Sequence, residues 1–166
     1  MSLLDGIPVS LGQKLSEIAD VEAVFDYLSR HQLAFTEKLD GDGYLFLRPE
    51  VKNLLRERAK QNLTGEERQQ VSIVAADWYS QRKNFAAALG LLISEKQYSA
   101  VSQVFSRAGL LLLNKDYPSR VAPLVEEIPE DVVKTCGWMS LFSGINRLHQ
   151  LSIDAEDWLE LAYAHF

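Results

Sequence analysis

A chain of 166 residues has room for one ordinary domain or two small ones, and 47% hydrophobic content with three tryptophans separates it from disordered sequences. The formal net charge of −6 runs against general nucleic-acid binding, which draws on a basic surface. The single cysteine, Cys136, excludes an intrachain disulfide framework and a cysteine-built zinc site.

Residues 11–20 read as helix, and 21–32 form a clearer one, with Val21, Val24, Phe25 and Leu28 at helical spacing. Leu33, Phe35 and Leu39 then set apolar positions against Thr36 and Lys38, Asp40-Gly41-Asp42-Gly43 signals a turn, and Tyr44-Leu45-Phe46-Leu47 supplies a return strand. The expectation is a β-hairpin. Pro49 suits the first turn of a following helix, where its missing N–H is not needed, and that helix carries Val51, Leu54, Leu55 and Ala59.

Thr64-Gly65-Glu66-Glu67 is a capping box, and it starts a long helix with Val71, Val74, Ala75, Trp78 and Tyr79 on one face. Residues 85–94 are small and apolar, and 99–113 place Val101, Val104, Phe105, Ala108 and Leu112 on a stripe. Pro118 is expected to open a short helix bearing Val121, Leu124, Val125 and Ile128, with Pro129 ending it. The segment 130–150 carries Trp138, Leu141, Phe142, Ile145 and Leu148, and Asp154 is the expected N-cap of a last helix with Ala155, Trp158, Leu159, Ala162 and Phe166 on one face. That stripe is still amphipathic at Phe166, so the chain reads as a piece of a longer protein. The aromatics at Phe85, Tyr98 and Tyr117 mark polar breaks between helices, as in stacks of helical hairpins, but their uneven spacing lacks the strict 34-residue period of tetratricopeptide arrays. The expected fold is therefore mainly α: a winged-helix-like module with a β-hairpin over 1–63, then a TPR-like α-solenoid of antiparallel helix pairs over 64–166, truncated at its C-terminus.

The stretch Val74-Ala75-Ala76-Asp77-Trp78-Tyr79, with Asn84-Phe85-Ala86-Ala87-Ala88-Leu89 after a short gap, resembles the segment following the ATPase module in MalT-like, LuxR-family transcriptional regulators of the signal-transducing ATPase class. The likeness continues through Tyr98-Ser99-Ala100-Val101, Arg107-Ala108-Gly109-Leu110 and Leu124-Val125-Glu126-Glu127-Ile128-Pro129, and covers roughly residues 20–166. It implies a winged helix followed by the start of a sensor superhelix. The chain would then be a non-catalytic regulatory fragment that couples an ATPase module, with ATP or ADP as the parent protein's nucleotide, to a small-molecule inducer or a regulatory protein. In related ATPases a histidine at the start of the last winged-helix helix contacts the nucleotide phosphate. This sequence has Arg48 there, and a guanidinium can take a phosphate bidentately. The alternative reading is a free-standing helical-repeat adaptor.

No Gly-x-x-x-x-Gly-Lys-Ser/Thr loop occurs, so no nucleotide cofactor is expected in the fragment itself. The helix 21–32 carries Glu22 and Asp26 against Arg30, which opposes docking on phosphates, so no direct DNA binding is expected. Asp40 and Asp42 lack the remaining ligands of a calcium loop, and His31, His149 and His165 have no zinc-binding spacing. Cys136 reads as a buried small hydrophobe, and Glu126, Glu127, Glu130 and Asp131 around Pro129 read as a solvated turn between helices. No signal peptide or membrane span is legible, and the Leu110-Leu111-Leu112-Leu113 run is far too short to cross a bilayer, so the expected location is the cytoplasm.

Overall fold

The computed structural model describes residues 6–16, 20–39, 41–115 and 120–166. In chain order the elements are β1 (Ile7–Pro8), α1 (Val9–Leu15), α2 (Val21–Arg30), β2 (Ala34–Leu39), β3 (Asp42–Leu47), α3 (Pro49–Asn62), α4 (Gly65–Gln81), α5 (Phe85–Ser94), α6 (Tyr98–Lys115), α7 (Ala122–Glu126), α8 (Glu130–Val133), α9 (Gly137–His149) and α10 (Ala155–His165). The protein is mainly helical with a small antiparallel sheet. It divides into two compact units, Met1–Ala75 and Ala76–Phe166, and the division falls inside α4.

In the first unit, the Asp20 carboxylate accepts the Ala23 N–H at 2.9 Å and fixes the start of α2, which buries Val21 and Phe25. The expected hairpin is β2–β3, with Ala34 opposite Leu47 and Phe35 opposite Phe46. Asp40 lies outside the described residues, and Gly41 turns the chain at φ +84, a conformation glycine adopts freely. Period-two alternation then sorts the faces. Ala34, Leu45 and Leu47 are buried, while the rings of Phe35, Phe46 and Tyr44 stack on the other face, with centroids 5.1 and 6.2 Å apart.

The sequence reading missed β1, which pairs Ile7 with Leu45 and makes the sheet order β1-β3-β2. Two residues show no alternation, and Pro8 argues against a strand. Proline is tolerated because β1 is an edge. Ser10 at the start of α1 donates to the Asp42 carboxylate at 2.5 Å. The apolar stripe expected along α3 is not packed: no residue of this helix is buried, and Leu54 and Leu55 are exposed. Lys52, Arg56, Glu57, Arg58 and Lys60 crowd the same turns and hold the helix surface in water.

The capping box forms as expected. The Thr64 N–H and hydroxyl donate to Glu67 at 2.8 and 2.9 Å, and the Glu67 N–H donates back to the Thr64 hydroxyl at 3.2 Å. The backbone bond from Thr64, then its hydroxyl, holds the Glu67 carboxyl below the ordinary glutamate range.

In the second unit, α5 packs on α6, α6 on α9, α7 on α5 and α9, and α10 on α9. Leu89, Leu92, Val101, Phe105, Leu112, Met139 and Phe142 fill the core, with Phe105 and Phe142 rings 5.4 Å apart. Burying each such side chain stabilises the fold by about 1.5–3 kcal/mol. Small residues set the helix spacing. A Cβ on Gly109 would lie 2.3 Å from the Trp138 indole, and one on Gly144 would lie 2.8 Å from Leu159, so α6 and α10 approach α9 only because these positions lack side chains.

Two local expectations change. The apolar stretch 130–150 is broken into α8 and α9, because the backbone at Cys136 is extended (φ −135, ψ 119) and α9 starts afresh at Gly137. Asp154 stands at the N-cap position of α10, but its side chain makes no cap hydrogen bond, since Ser152 and Arg147 take the carboxylate. The turn Asp116-Tyr117-Pro118-Ser119 lies outside the described residues, and the described helix after it is α7.

Helices α2, α4, α5 and α9 end in one way. Gln32, Lys83, Lys96 and Leu151 adopt φ of 57, 60, 56 and 56. Each donates its N–H three residues back, and the next residue donates five back: Leu33 to Leu28, Asn84 to Tyr79, Gln97 to Leu92 and Ser152 to Arg147, at 2.8–3.0 Å. This is the Schellman closure, made here without its usual glycine. The left-handed conformation costs a side-chain-bearing residue about 1–2 kcal/mol.

Leu151 is 88% exposed, so Leu151→Gly relieves that cost without losing burial. After glycine's own unfolded-state entropy it should stabilise the chain by about 0.5–1 kcal/mol in urea unfolding, and an unchanged or lower midpoint would contradict the strain account. Gly109→Ala should act oppositely, lowering stability by about 1–3 kcal/mol by forcing Trp138 off α6, even though alanine is the better helix former.

Candidate functional site

The sequence pointed to Arg48. It is exposed at the junction between β3 and α3, where its N–H donates to the Leu33 carbonyl at 3.1 Å and its carbonyl accepts from Lys52 at 2.9 Å. Its backbone thus ties the hairpin base to the next helix, and its side chain makes no cap bond. Asp42 is engaged by Ser10, His31 lies against the Tyr27 ring, and a His165 ring nitrogen sits 2.9 Å from the Lys134 carbonyl. Cys136 is buried, as its reading as a small hydrophobe implied. Among the described residues there is no group of three acidic, histidine or cysteine side chains arranged to hold a metal, and no helix long and apolar enough to cross a membrane.

Among the described residues, a feature that resembles a binding site lies elsewhere, in the second unit. A groove of about 390 Å³ opens where α7, α8, α9 and α10 meet. Val125, Ile128, Val133 and Trp158 are all buried and form its apolar floor. The lining is completed by Glu126 and Glu130, by Ser143, Asn146 and Arg147 of α9, and by Gln150 at its C-cap. The open lining is more polar than apolar, so the groove resembles a small-molecule site in its volume and its convergent polar groups.

Helical periodicity aligns the α9 wall. Ser143, Asn146, Arg147 and Gln150 fall at steps of three and four, hence on one face. The Asn146 and Gln150 side-chain amides both donate to the same oxygen of Glu126, Oε1, at 2.6 and 2.9 Å. Arg147 is engaged by the Asp154 carboxylate, and its guanidinium lies 4.9 Å from the Trp158 ring centroid. Lys134 pairs with Glu130 at 2.6 Å and approaches the same indole at 5.5 Å. Two cations thus pack on Trp158, each also held by a carboxylate, which keeps the indole in place.

The titrating groups follow from these contacts. The Lys134 ammonium holds the Glu130 carboxyl below the ordinary glutamate range by hydrogen bond and by charge. The Ser152 hydroxyl, and after it the Arg147 charge and the Trp158 side chain, hold Asp154 below the ordinary aspartate range against the opposing effect of desolvation.

The sequence predicts a solvated turn for the acidic residues around Pro129. Glu126, Glu127, Glu130 and Asp131 are all exposed, as that reading implies, and Glu126 and Glu130 also line the groove. Glu130 meets Lys134 one turn on, but the partners of Glu126 lie 20 and 24 residues away, and nothing local in the sequence announces that meeting. The buried aromatics Trp78, Tyr79, Phe105 and Phe142 serve the core, and the groove is floored by Trp158.

Comparison with protein-family models, curated proteins and solved structures finds no match to this chain.

The depressed Asp154 carboxyl has a definite consequence. Its contribution to stability is fully present above the ordinary aspartate value of about 4 and is lost as pH falls through the lower folded value. Asp154→Asn should therefore lower the melting temperature at pH 7 and reduce the further loss on acidification to about pH 3. Equal losses at both pH values would contradict this account.

Proposed function

We propose that this chain is a non-catalytic regulatory and interaction region of a bacterial transcriptional regulator of the MalT-like class. In this reading the first unit is a winged helix that relays the state of an ATPase module, and the second begins a TPR-like superhelix that senses a small-molecule inducer or a protein partner. The working compartment is the cytoplasm. Binding acts by population shift: an effector that contacts the superhelix better in one arrangement moves the parent protein toward it.

The observation that carries the reading is the groove on packed helices of the second unit, with an apolar floor and polar groups fixed by neighbours, built to hold something. Two further features support it. Two helices stand between β1 and the hairpin, and β1 closes on β3 to give the order β1-β3-β2, an arrangement compatible with a winged helix. The same left-handed reversal recurs after α4 and α5 and between α9 and α10, which suits serial helical hairpins.

The charge on α2 supports a signalling role for the winged module over DNA reading. Glu22 and Asp26 stand on its exposed side, and Arg30 is drawn 3.9 Å from Asp26 along the same helix. In the parent protein Arg48 would be the phosphate-facing residue of this module, answering ATP or ADP held by a neighbouring domain.

Two measurements test the proposal. The complete reading frame should contain a phosphate-binding loop upstream and a helix-turn-helix downstream. A frame with neither would make the chain a free-standing adaptor. In a gel shift near 0.15 M salt the isolated chain should leave duplex DNA unbound, and sequence-dependent binding tighter than about 1 μM would overturn the relay role of the first unit.

A further inference from the structure

The groove in the second unit has an unbalanced charge, and its position identifies a ligand class. Glu130 is neutralised by Lys134 and Arg147 by Asp154, so two of the three charged lining residues are already paired. Glu126 is not. Its Oε1 accepts from the neutral amides of Asn146 and Gln150, and among the described residues no lysine or arginine pairs with it. A carboxylate oriented by two neutral donors keeps its full negative charge and leaves Oε2 to point elsewhere. Beside it runs the floor of Val125, Ile128, Val133 and Trp158.

We propose that this groove binds a small organic cation, an ammonium or guanidinium group on an apolar body, with the cation on Glu126 and the body on that floor. The proposal rests on the second unit being the sensing part of the chain and names the chemistry of what it senses. Three physical points favour this occupant. The net charge of the lining is negative and sits on one residue, so a cation gains a charge-assisted hydrogen bond that a neutral ligand lacks. Arg147 and Lys134 already lie near the Trp158 ring, so an added cation gains more at the unneutralised Glu126 than beside the indole. An anion finds its obvious partner, Arg147, already held by Asp154. The volume suits a whole small molecule, which commits the groove to a free ligand in preference to one side chain of a partner protein.

The test uses the ¹⁵N-labelled full chain and three probes: phenethylammonium, its neutral counterpart phenethyl alcohol, and the tripeptide acetyl-Ala-Lys-Ala-amide. Phenethylammonium should shift the Asn146 and Gln150 side-chain amide signals and the Trp158 indole N–H saturably, with a Kd below about 1 mM. Glu126→Gln should weaken that binding about tenfold, whereas Glu130→Gln should change it less than about twofold. Glu126 is exposed, so its substitution leaves the core intact, and the neutral alcohol checks the charge requirement without any substitution.

Equal binding of the alcohol, unchanged affinity in Glu126→Gln, or no saturation by about 10 mM would each overturn the proposal. Tighter binding of the tripeptide than of the free amine would also overturn it, in favour of a basic protein segment. These outcomes are independent of the reading frame. An amine-binding chain without regulator domains would sink the regulatory role alone, and a regulator whose groove ignores amines would sink this inference alone.

Discussion

The second unit depends on one constraint: a chain of short helices must reverse direction within a few residues and leave no helix-end carbonyl unsatisfied. Schellman closures at Lys83, Lys96 and Leu151 meet it, as Gln32 does in the first unit. A six-residue loop of backbone bonds captures two carbonyls and sets the exit direction of the chain. Side-chain-bearing residues in a left-handed conformation are strained, so the closure persists because packing beyond the turn holds it. Bringing α5 and α6 together, and α9 and α10 together, supplies that packing.

The groove follows from those reversals. The turn from α9 to α10 places Asp154 within reach of Arg147, and Ser152 in the same turn donates to the same carboxylate. Arg147 then lies against Trp158, and Lys134 at the end of α8 approaches the same ring. The floor is apolar because Val125 of α7, Val133 of α8 and Ile128 between them, just before Pro129, are turned inward. The rim is polar because Asn146 on α9 and Gln150 at its C-cap stand one turn apart. One network therefore shapes the floor, orders the rim and, among the described residues, leaves the Glu126 carboxylate held by neutral amides and by no lysine or arginine.

Much of this fold is legible in the sequence, and the legible parts are local. Pro49 and the Thr64–Glu67 box mark helix starts because the groups that satisfy the first turn are adjacent in sequence. The hairpin is legible because Gly41 and the apolar alternation lie within one short window. Helix ends are less so: Gln32, Lys83, Lys96 and Leu151 replace the glycine that would have announced them. The strand Ile7–Pro8 is invisible because its pairing partner is Leu45, far along the chain. The groove is hidden for the same reason, since Glu126 meets Asn146 and Gln150 across 20 and 24 residues. Arg48, picked out by resemblance, lies in the other unit.

The sheet of the first unit has a bearing on how the molecule behaves in concentrated solution. Its strand β2 is an open edge, with Phe35 half in water and stacked on Phe46, and such an edge invites a neighbouring molecule to add a strand. Glu37 and Lys38 sit on that edge with opposite charges, so a second copy aligned in parallel register meets like against like at both positions. Two ordinary side chains beside an aromatic ladder thus disfavour in-register parallel addition at this edge, and screening salt weakens that guard.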